Sequence, residues 1–91
     1  MQKTISITVS GKVQGVFYRQ STKEKARELG LTGEVRNLPD GNVLVIATGT
    51  DEQLNILADW CKKGPPRAIV TGVEIADLPF QTFGEFVVVR H

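Results

Sequence analysis

The sequence contains very few of the residues that build metal centres and disulfides. Its 91 residues include one cysteine and one histidine. A single cysteine excludes an internal disulfide, and no group of cysteine and histidine residues has the spacing of a zinc site. This cysteine usage is simplest to explain by a reducing, cytoplasmic location.

Long apolar segments are also missing. Hydrophobic residues make up 41% of the chain, but they form no uninterrupted run of membrane-spanning length. The first ten residues, MQKTISITVS, alternate apolar and hydroxyl side chains and contain no apolar segment of the signal-peptide kind. Repeats, low-complexity stretches and linkers are absent as well. We therefore expect residues 1–91 to form one domain with a single core and no membrane association.

The charge of the chain is close to neutral and unevenly distributed. The formal net charge is +1, from 11 basic and 10 acidic residues, which argues against a protein that binds nucleic acid along its backbone. Residues 1–39 contain seven basic and three acidic side chains, whereas residues 40–91 contain four and seven. A binding site for a small anion is therefore expected in the first part of the chain.

Hydrophobic periodicity divides the chain into strands and helices. Helices are expected over residues 18–29 and 51–63. Strands are expected at five places, near residues 5–10, 33–38, 42–49, 68–76 and 83–90. The order βαββαβ plus one strand predicts an α+β, ferredoxin-like sandwich. In it, two helices cover one face of a mostly antiparallel sheet that has an extra C-terminal strand.

The ends of these elements have clear signals. Gly30 suits the left-handed position that ends the first helix, with Leu31 as the apolar residue that follows. Thr50 and Gln53 have the spacing of a capping box at the start of the second helix. Leu-Pro-Asp-Gly at residues 38–41 predicts a turn between two strands. The strand after this turn is apolar on both faces, so we expect it at the centre of the sheet.

One candidate site is the glycine-containing segment between the first strand and the first helix. Successive backbone N–H groups in such a turn can converge on an anion, and the helix dipole adds partial positive charge there. Gly15 permits a close backbone approach, and the planar guanidinium of Arg19 suits phosphate oxygens. A tight turn followed by a solvated arginine explains the same residues, so both interpretations stay open at this point.

The other candidate is Asn37, which lies just before the Pro-Asp-Gly turn. An uncharged amide both donates and accepts hydrogen bonds, so it can orient a water molecule without deprotonating it. Asparagine also favours turns for purely local reasons. Taken alone, Asn37 is more simply explained as a turn residue.

The two segments together resemble the signatures of a known family. GKVQGVFYR at residues 11–19 closely resembles the first signature of the acylphosphatase family. GEVRNLPDGNV at residues 33–43, followed by Gly49, resembles the second. The signatures occur in the family's order, and the expected ferredoxin-like layout agrees with the family over essentially the whole chain.

The resemblance implies a hydrolase that needs no metal and no cofactor. Its reaction converts a small acyl phosphate to a carboxylate and inorganic phosphate, which is itself an expected inhibitor, as are other small anions. The family's phosphate-binding arginine matches Arg19, and its water-positioning asparagine matches Asn37. A monomer without nucleic acid or membrane partners is expected. The residues expected to bind the substrate are Gln14, Gly15, Val16, Phe17, Tyr18 and Arg19.

The chain departs from the family's pattern at three places. Glu34 stands where an aromatic residue is usual, and it is expected to alter packing or acyl-group preference beside the active-site strand. Tyr18 replaces the phenylalanine before the arginine. The chain ends Val89-Arg90-His91, where an aromatic residue is more familiar. None of these changes removes a residue to which the resemblance assigns chemistry.

Two other functions remain open. A non-catalytic module would bind phosphate through Arg19 and the loop, but it would have no need of a water-orienting amide at position 37. RNA-binding domains of the same layout place aromatic residues on their central strands to stack bases. The first strand here carries Ile5, Ile7 and Val9 instead, which disfavours RNA binding.

Overall fold

The computed structural model describes residues 1–90 and contains five strands and two helices. His91 lies outside the described residues, and so does the departure from the family's aromatic residue at the chain end. The elements are β1 (Gln2–Lys12), α1 (Tyr18–Glu28), β2 (Thr32–Asn37), β3 (Val43–Thr50), α2 (Asp51–Lys63), β4 (Ile69–Leu78) and β5 (Phe86–Val89).

The strands form one sheet in the order β4-β1-β3-β2-β5. Strand β3 lies at the centre, as its two apolar faces predicted. It pairs antiparallel with β1 and β2, and β1 pairs antiparallel with β4. Strand β5 is added to the edge beside β2 and runs parallel to it. The predicted ferredoxin-like arrangement with an extra C-terminal strand is confirmed, and the position of that strand is now defined.

Alternate residues of the strands face the two helices and form the core. Ile5, Ile7 and Val9 are buried on β1, and Val43 and Val45 are buried opposite them on β3. From α2 the predicted stripe at i, i+3, i+4 and i+7 is buried in full, which confirms the amphipathic pattern. That stripe consists of Leu54, Leu57, Ala58 and Cys61.

Local signals determine where the elements end. The N–H of Gly30 bonds to the carbonyl of Arg27 and the N–H of Leu31 to that of Ala26, a Schellman arrangement with Gly30 at φ 79°. At the other helix, Thr50 and Gln53 form the expected capping box. The predicted 38–41 turn is present, with the N–H of residue 41 bonded to the carbonyl of residue 38.

Strand direction brings the two sequence motifs together. Strands β1, β2 and β5 all run the same way, since β1 and β2 are both antiparallel to β3 and β5 is parallel to β2. Their C-terminal ends therefore lie together at one end of the sheet, which we call the site edge. Helix α1 follows β1, so its N-terminus lies at the same edge. The loop of the first motif and Asn37 of the second meet there.

Candidate active site

The loop between β1 and α1 has an unusual backbone. Gly15 and Phe17 both lie in the left-handed region, at φ 75° and φ 64°, and Phe17 is the only non-glycine residue there among residues 1–90. A left-handed conformation costs a residue with a side chain roughly 1–2 kcal/mol. Left-handed residues that alternate with ordinary ones turn successive N–H groups toward one point, which is the geometry of an anion-binding nest.

The N-terminus of α1 is left open. Phe17 occupies its N-cap position without a side-chain cap, and its first turn contains no acidic residue. By contrast, α2 begins with a complete capping box and with Asp51 and Glu52 in its first turn. The unpaired N–H groups and the helix dipole at α1 favour a negative charge, and Arg19 is the second residue of this helix.

Gln14 fixes the loop to the β2–β3 turn. Its side-chain nitrogen Nε2 donates to the carbonyl oxygens of Leu38 and Asn42, at 2.9 Å and 2.8 Å. These two carbonyls flank the turn that directly follows Asn37. The side chain of Gln14 therefore holds the first motif against the second.

Tyr18 fixes the start of α1 to the end of α2. Its buried hydroxyl donates to the carbonyl oxygen of Cys61 at 2.7 Å, and its ring centroid lies 5.7 Å from that of Trp60. Burial is the main reason why the pKa of Tyr18 is raised above its ordinary value. This contact uses the hydroxyl that distinguishes tyrosine from the phenylalanine usual at this position.

Asn37 is the last residue of β2, and its side chain is unusual. The side-chain oxygen Oδ1 is buried, and it has no hydrogen-bond partner among residues 1–90. An unpaired buried polar atom costs about 1–3 kcal/mol, so such atoms call for an explanation by function. The amide of Asn37 lies in the wall of a cavity, where it can bind a small polar molecule.

The cavity at this edge has a volume of about 450 Å³. It brings Asn37 together with four residues of the predicted substrate-binding set, whereas the side chain of Val16 is buried in the core and that of Gln14 bonds to the turn. A smaller cavity of about 200 Å³ shares Arg19, Asn37 and Arg90. The larger one is lined by Val13, Gly15, Phe17, Tyr18, Arg19, Gln20, Asn37 and Arg90.

Three lining residues, Val13, Gln20 and Arg90, were not among the predicted site residues, and Arg90 is the charged one. It follows the last residue of β5, and the register of β5 with β2 ends at the pair Arg36 and Val89. The next residue on each strand is Asn37 and Arg90, so these two lie side by side. The alternation of side chains along β5 predicts on which face of the sheet Arg90 lies. Only the pairing of β5 with β2 brings Arg90 next to Asn37.

Glu34 lies on the other face of the sheet. Gly33 and Val35 are buried beneath the helices, so alternation turns Glu34 away from them. Its carboxylate accepts a hydrogen bond from Nε of Arg36 at 3.2 Å. Glu34 does not line the cavity, so direct contact with an acyl group is not supported by this placement.

A second, larger cavity of about 750 Å³ lies between the helices. It is lined by Trp60, by Pro65 and Pro66, and by both acidic and basic side chains of α1. It contains neither an open helix N-terminus nor a residue of the second motif. The mixed charges of its walls do not favour a phosphate, so the smaller cavity is the better candidate.

Two general properties complete the description. No helix within residues 1–90 is long and apolar enough to cross a membrane. Over the same residues, histidine, cysteine, aspartate and glutamate side chains form no group of three that could hold a metal ion.

The fold and the site define a class of small ferredoxin-like domains. In this class, a loop with the geometry of an anion-binding nest lies at the C-terminal ends of three strands. The acylphosphatase family model matches residues 5–88. An acylphosphatase of Marinobacter nauticus is 58% identical over 81 residues, or 88% of each chain.

Solved structures show the same likeness. An acylphosphatase from Coxiella burnetii aligns with a TM-score of 0.93 at 43% identity, over 97% of this chain and 93% of the other. One from Bacillus subtilis also has a TM-score of 0.93, at 30% identity over 99% and 100%. The chain belongs to the acylphosphatase family, as its two motifs predicted, and is an enzyme of that family.

Proposed function

We propose that this enzyme hydrolyses small acyl phosphates at the cavity between α1 and the ends of β1, β2 and β5, without a metal ion. The water oxygen forms a bond to phosphorus while the bond between phosphorus and the carboxylate oxygen breaks. The carboxylate leaves with the bonding electrons, and inorganic phosphate is the second product. The acyl phosphate already contains a good leaving group, so positioning and charge neutralisation are the main requirements.

The phosphate site consists of Arg19 and the loop amides of residues 14–19. Support comes from the uncapped helix N-terminus and from the left-handed Gly15 and Phe17, which turn N–H groups toward one point. Each charge-assisted hydrogen bond to an anion contributes about 1.5–3 kcal/mol. Gln14 and Val16 take part through the backbone, because their side chains are engaged elsewhere.

Asn37 holds the attacking water, and the observation that carries this proposal is the place of Asn37 in the cavity wall beside Arg19. An uncharged side-chain amide can orient a water molecule by hydrogen bonding without removing its proton. This feature favours hydrolysis over a non-catalytic phosphate-binding module. The described residues that line the cavity contain no carboxylate or imidazole, so we assign the water's proton to a phosphate oxygen of the substrate.

The decisive experiment is the hydrolysis of benzoyl phosphate in the presence of EDTA. We expect wild-type activity to survive chelation, and loss of activity on chelation would contradict the metal-free mechanism. Inactivity of the wild type would favour the binding module. A pH–rate profile and solvent isotope effect that reveal an essential enzyme base would contradict the assignment of the proton.

Variants separate the two roles. Asn37→Ala should lower kcat by about a hundredfold or more, because the water loses its orientation, while phosphate binding is retained. Arg19→Ala should lower both activity and phosphate affinity. Asn55→Ala and Arg67→Ala are matched controls at exposed positions outside the cavity. If Asn37→Ala weakened phosphate binding as much as Arg19→Ala, the separate roles would be wrong.

We also propose that the chain acts as a monomer and that residues 1–91 form one domain. The single hydrophobic cluster shared by the sheet and both helices supports one domain. Sedimentation equilibrium at micromolar and millimolar concentration tests it, and a concentration-dependent mass would contradict the monomer.

A further inference from the structure

We propose that Arg90 is a second phosphoryl-binding residue, which contacts the same group as Arg19 from the opposite wall of the cavity. The proposal rests on the proposed function, because it assigns a further residue to that site. Neither the motif at residues 11–19 nor the motif at residues 33–43 contains Arg90.

Strand register places Arg90 next to Asn37. Gly33 pairs with Phe86 and Arg36 with Val89 in the parallel ladder between β2 and β5. One step further along both strands come Asn37 and Arg90. Parallel neighbours at the same level lie about 4.8 Å apart in their backbones, so their side chains share a wall when they point the same way.

The alternation of β5 puts Arg90 on the same face of the sheet as Asn37. Phe86 is buried and Val88 is partly buried in the core beneath the helices. Side chains alternate along a strand, and continuing this alternation to the residue after β5 puts Arg90 on the helix-covered face, in agreement with its place in the cavity wall. Asn37 is on the same face, because it alternates in step with the buried Gly33 and Val35.

The cavity walls carry basic side chains and no acidic ones among residues 1–90. Arg19, Asn37 and Arg90 line both the cavity of about 450 Å³ and the one of about 200 Å³. No acidic residue within residues 1–90 lines either cavity. Arg19 belongs to α1 and Arg90 directly follows β5, so two arginines border one space from different elements.

This arrangement suits a phosphoryl group. Three non-bridging oxygens of an acyl phosphate carry its charge, and the planar guanidinium forms paired hydrogen bonds to such oxygens. Loop amides and Arg19 serve one side of the group, and Arg90 serves the side next to Asn37. There Arg90 offsets the negative charge that an attacking water molecule has to approach.

The test compares Arg90→Ala, Arg90→Lys and the control Arg67→Ala. Arg67 is exposed and outside the cavity, so its replacement changes the net charge equally. Phosphate binding is measured by calorimetry, and inhibition by phosphate is measured with benzoyl phosphate as substrate. Unfolding in urea is recorded for each variant.

We expect Arg90→Ala to weaken phosphate binding and to lower kcat/KM by about tenfold or more, as loss of one charge-assisted hydrogen bond implies. Arg90→Lys should recover part of both losses, because it restores the charge without the planar fork. Arg67→Ala should stay within about twofold of the wild type, as expected for an exposed substitution away from the site.

Equal phosphate affinity in Arg90→Ala and Arg67→Ala would overturn the proposal. So would a loss of kcat/KM that follows a loss of stability with no change in phosphate binding. Calorimetry does not need turnover, so it decides the role of Arg90 even if the wild type failed to hydrolyse benzoyl phosphate. The converse also holds, since activity that depends on Arg19 and Asn37 but not on Arg90 leaves the proposed function intact.

Discussion

The contact between Gln14 and the β2–β3 turn provides the sharpest test of how the two motifs are held together. In Gln14→Ala, both hydrogen bonds from Nε2, at 2.9 Å and 2.8 Å, are lost, while the carbonyls of Leu38 and Asn42 keep the hydrogen bonds that they accept from the backbone N–H groups of Gly41 and Leu38. At about 1 kcal/mol for each bond, the free energy of unfolding should fall by about 2 kcal/mol. In a domain of this size that lowers the melting temperature by about 8–16 °C.

Gln14→Glu keeps the size of the side chain but removes its N–H donor, so it separates the effect of the hydrogen bonds from the effect of side-chain shape. An ionised carboxylate has no N–H to donate and faces two carbonyl oxygens, so at pH 7 it should destabilise the fold more than alanine does. The folded state therefore raises the pKa of the introduced carboxyl group above its ordinary value of about 4.3. Because the neutral form is favoured in the fold, the loss of unfolding free energy relative to the wild type should be smallest below about pH 4.3. This loss should grow as pH rises above that value.

The assay is urea unfolding followed by Trp60 fluorescence, at pH 7 and in acid, with benzoyl phosphate turnover in parallel. Gln81→Ala is the control, because it removes the same side chain at an exposed position. It should change the free energy of unfolding by no more than about 0.5 kcal/mol. The reasoning is refuted if Gln14→Ala is as stable as Gln81→Ala but has lost activity. That result would mean that the side chain contacts the substrate rather than the turn.

Two further predictions concern the framework of the site. Thr50→Ala should lower the free energy of unfolding by about 1 kcal/mol, because it removes the side-chain acceptor of the capping box. Thr50→Ser keeps a hydroxyl acceptor and should retain most of this stabilisation. Thermal unfolding followed by circular dichroism measures both variants. Burial raises the pKa of the Cys61 thiol to about 12, partly offset by its contact with Tyr18, and the pKa of Tyr18 is also raised. Since the fold favours the neutral form of both groups, stability should be fully present below their ordinary pKa values and decline as pH rises above about 9. Urea midpoints between pH 7 and pH 11 test this, and a midpoint that stays constant to pH 11 would contradict it.

Short-range features of this protein were predictable from the sequence because each depends on neighbouring residues. The Schellman end at Gly30 and the capping box at Thr50 are formed by atoms within one or two helical turns. The central position of β3 followed from its own two apolar faces. The acylphosphatase motifs were recognisable as strings of residues, and the family and its fold followed from them.

Contacts between distant residues were decided by the tertiary structure alone. Gln14 meets a turn that begins 24 residues later, and the hydroxyl of Tyr18 meets a carbonyl 43 residues later. Arg90 lies beside Asn37 only because β5 joins the sheet next to β2 and parallel to it. Periodicity tells which face of a strand is buried, but it carries no information about which strand is its neighbour or in what register. The cavity that we propose as the anion site is therefore lined both by Arg19, from the basic first part of the chain, and by Arg90, which strand pairing brings there from the end of the chain.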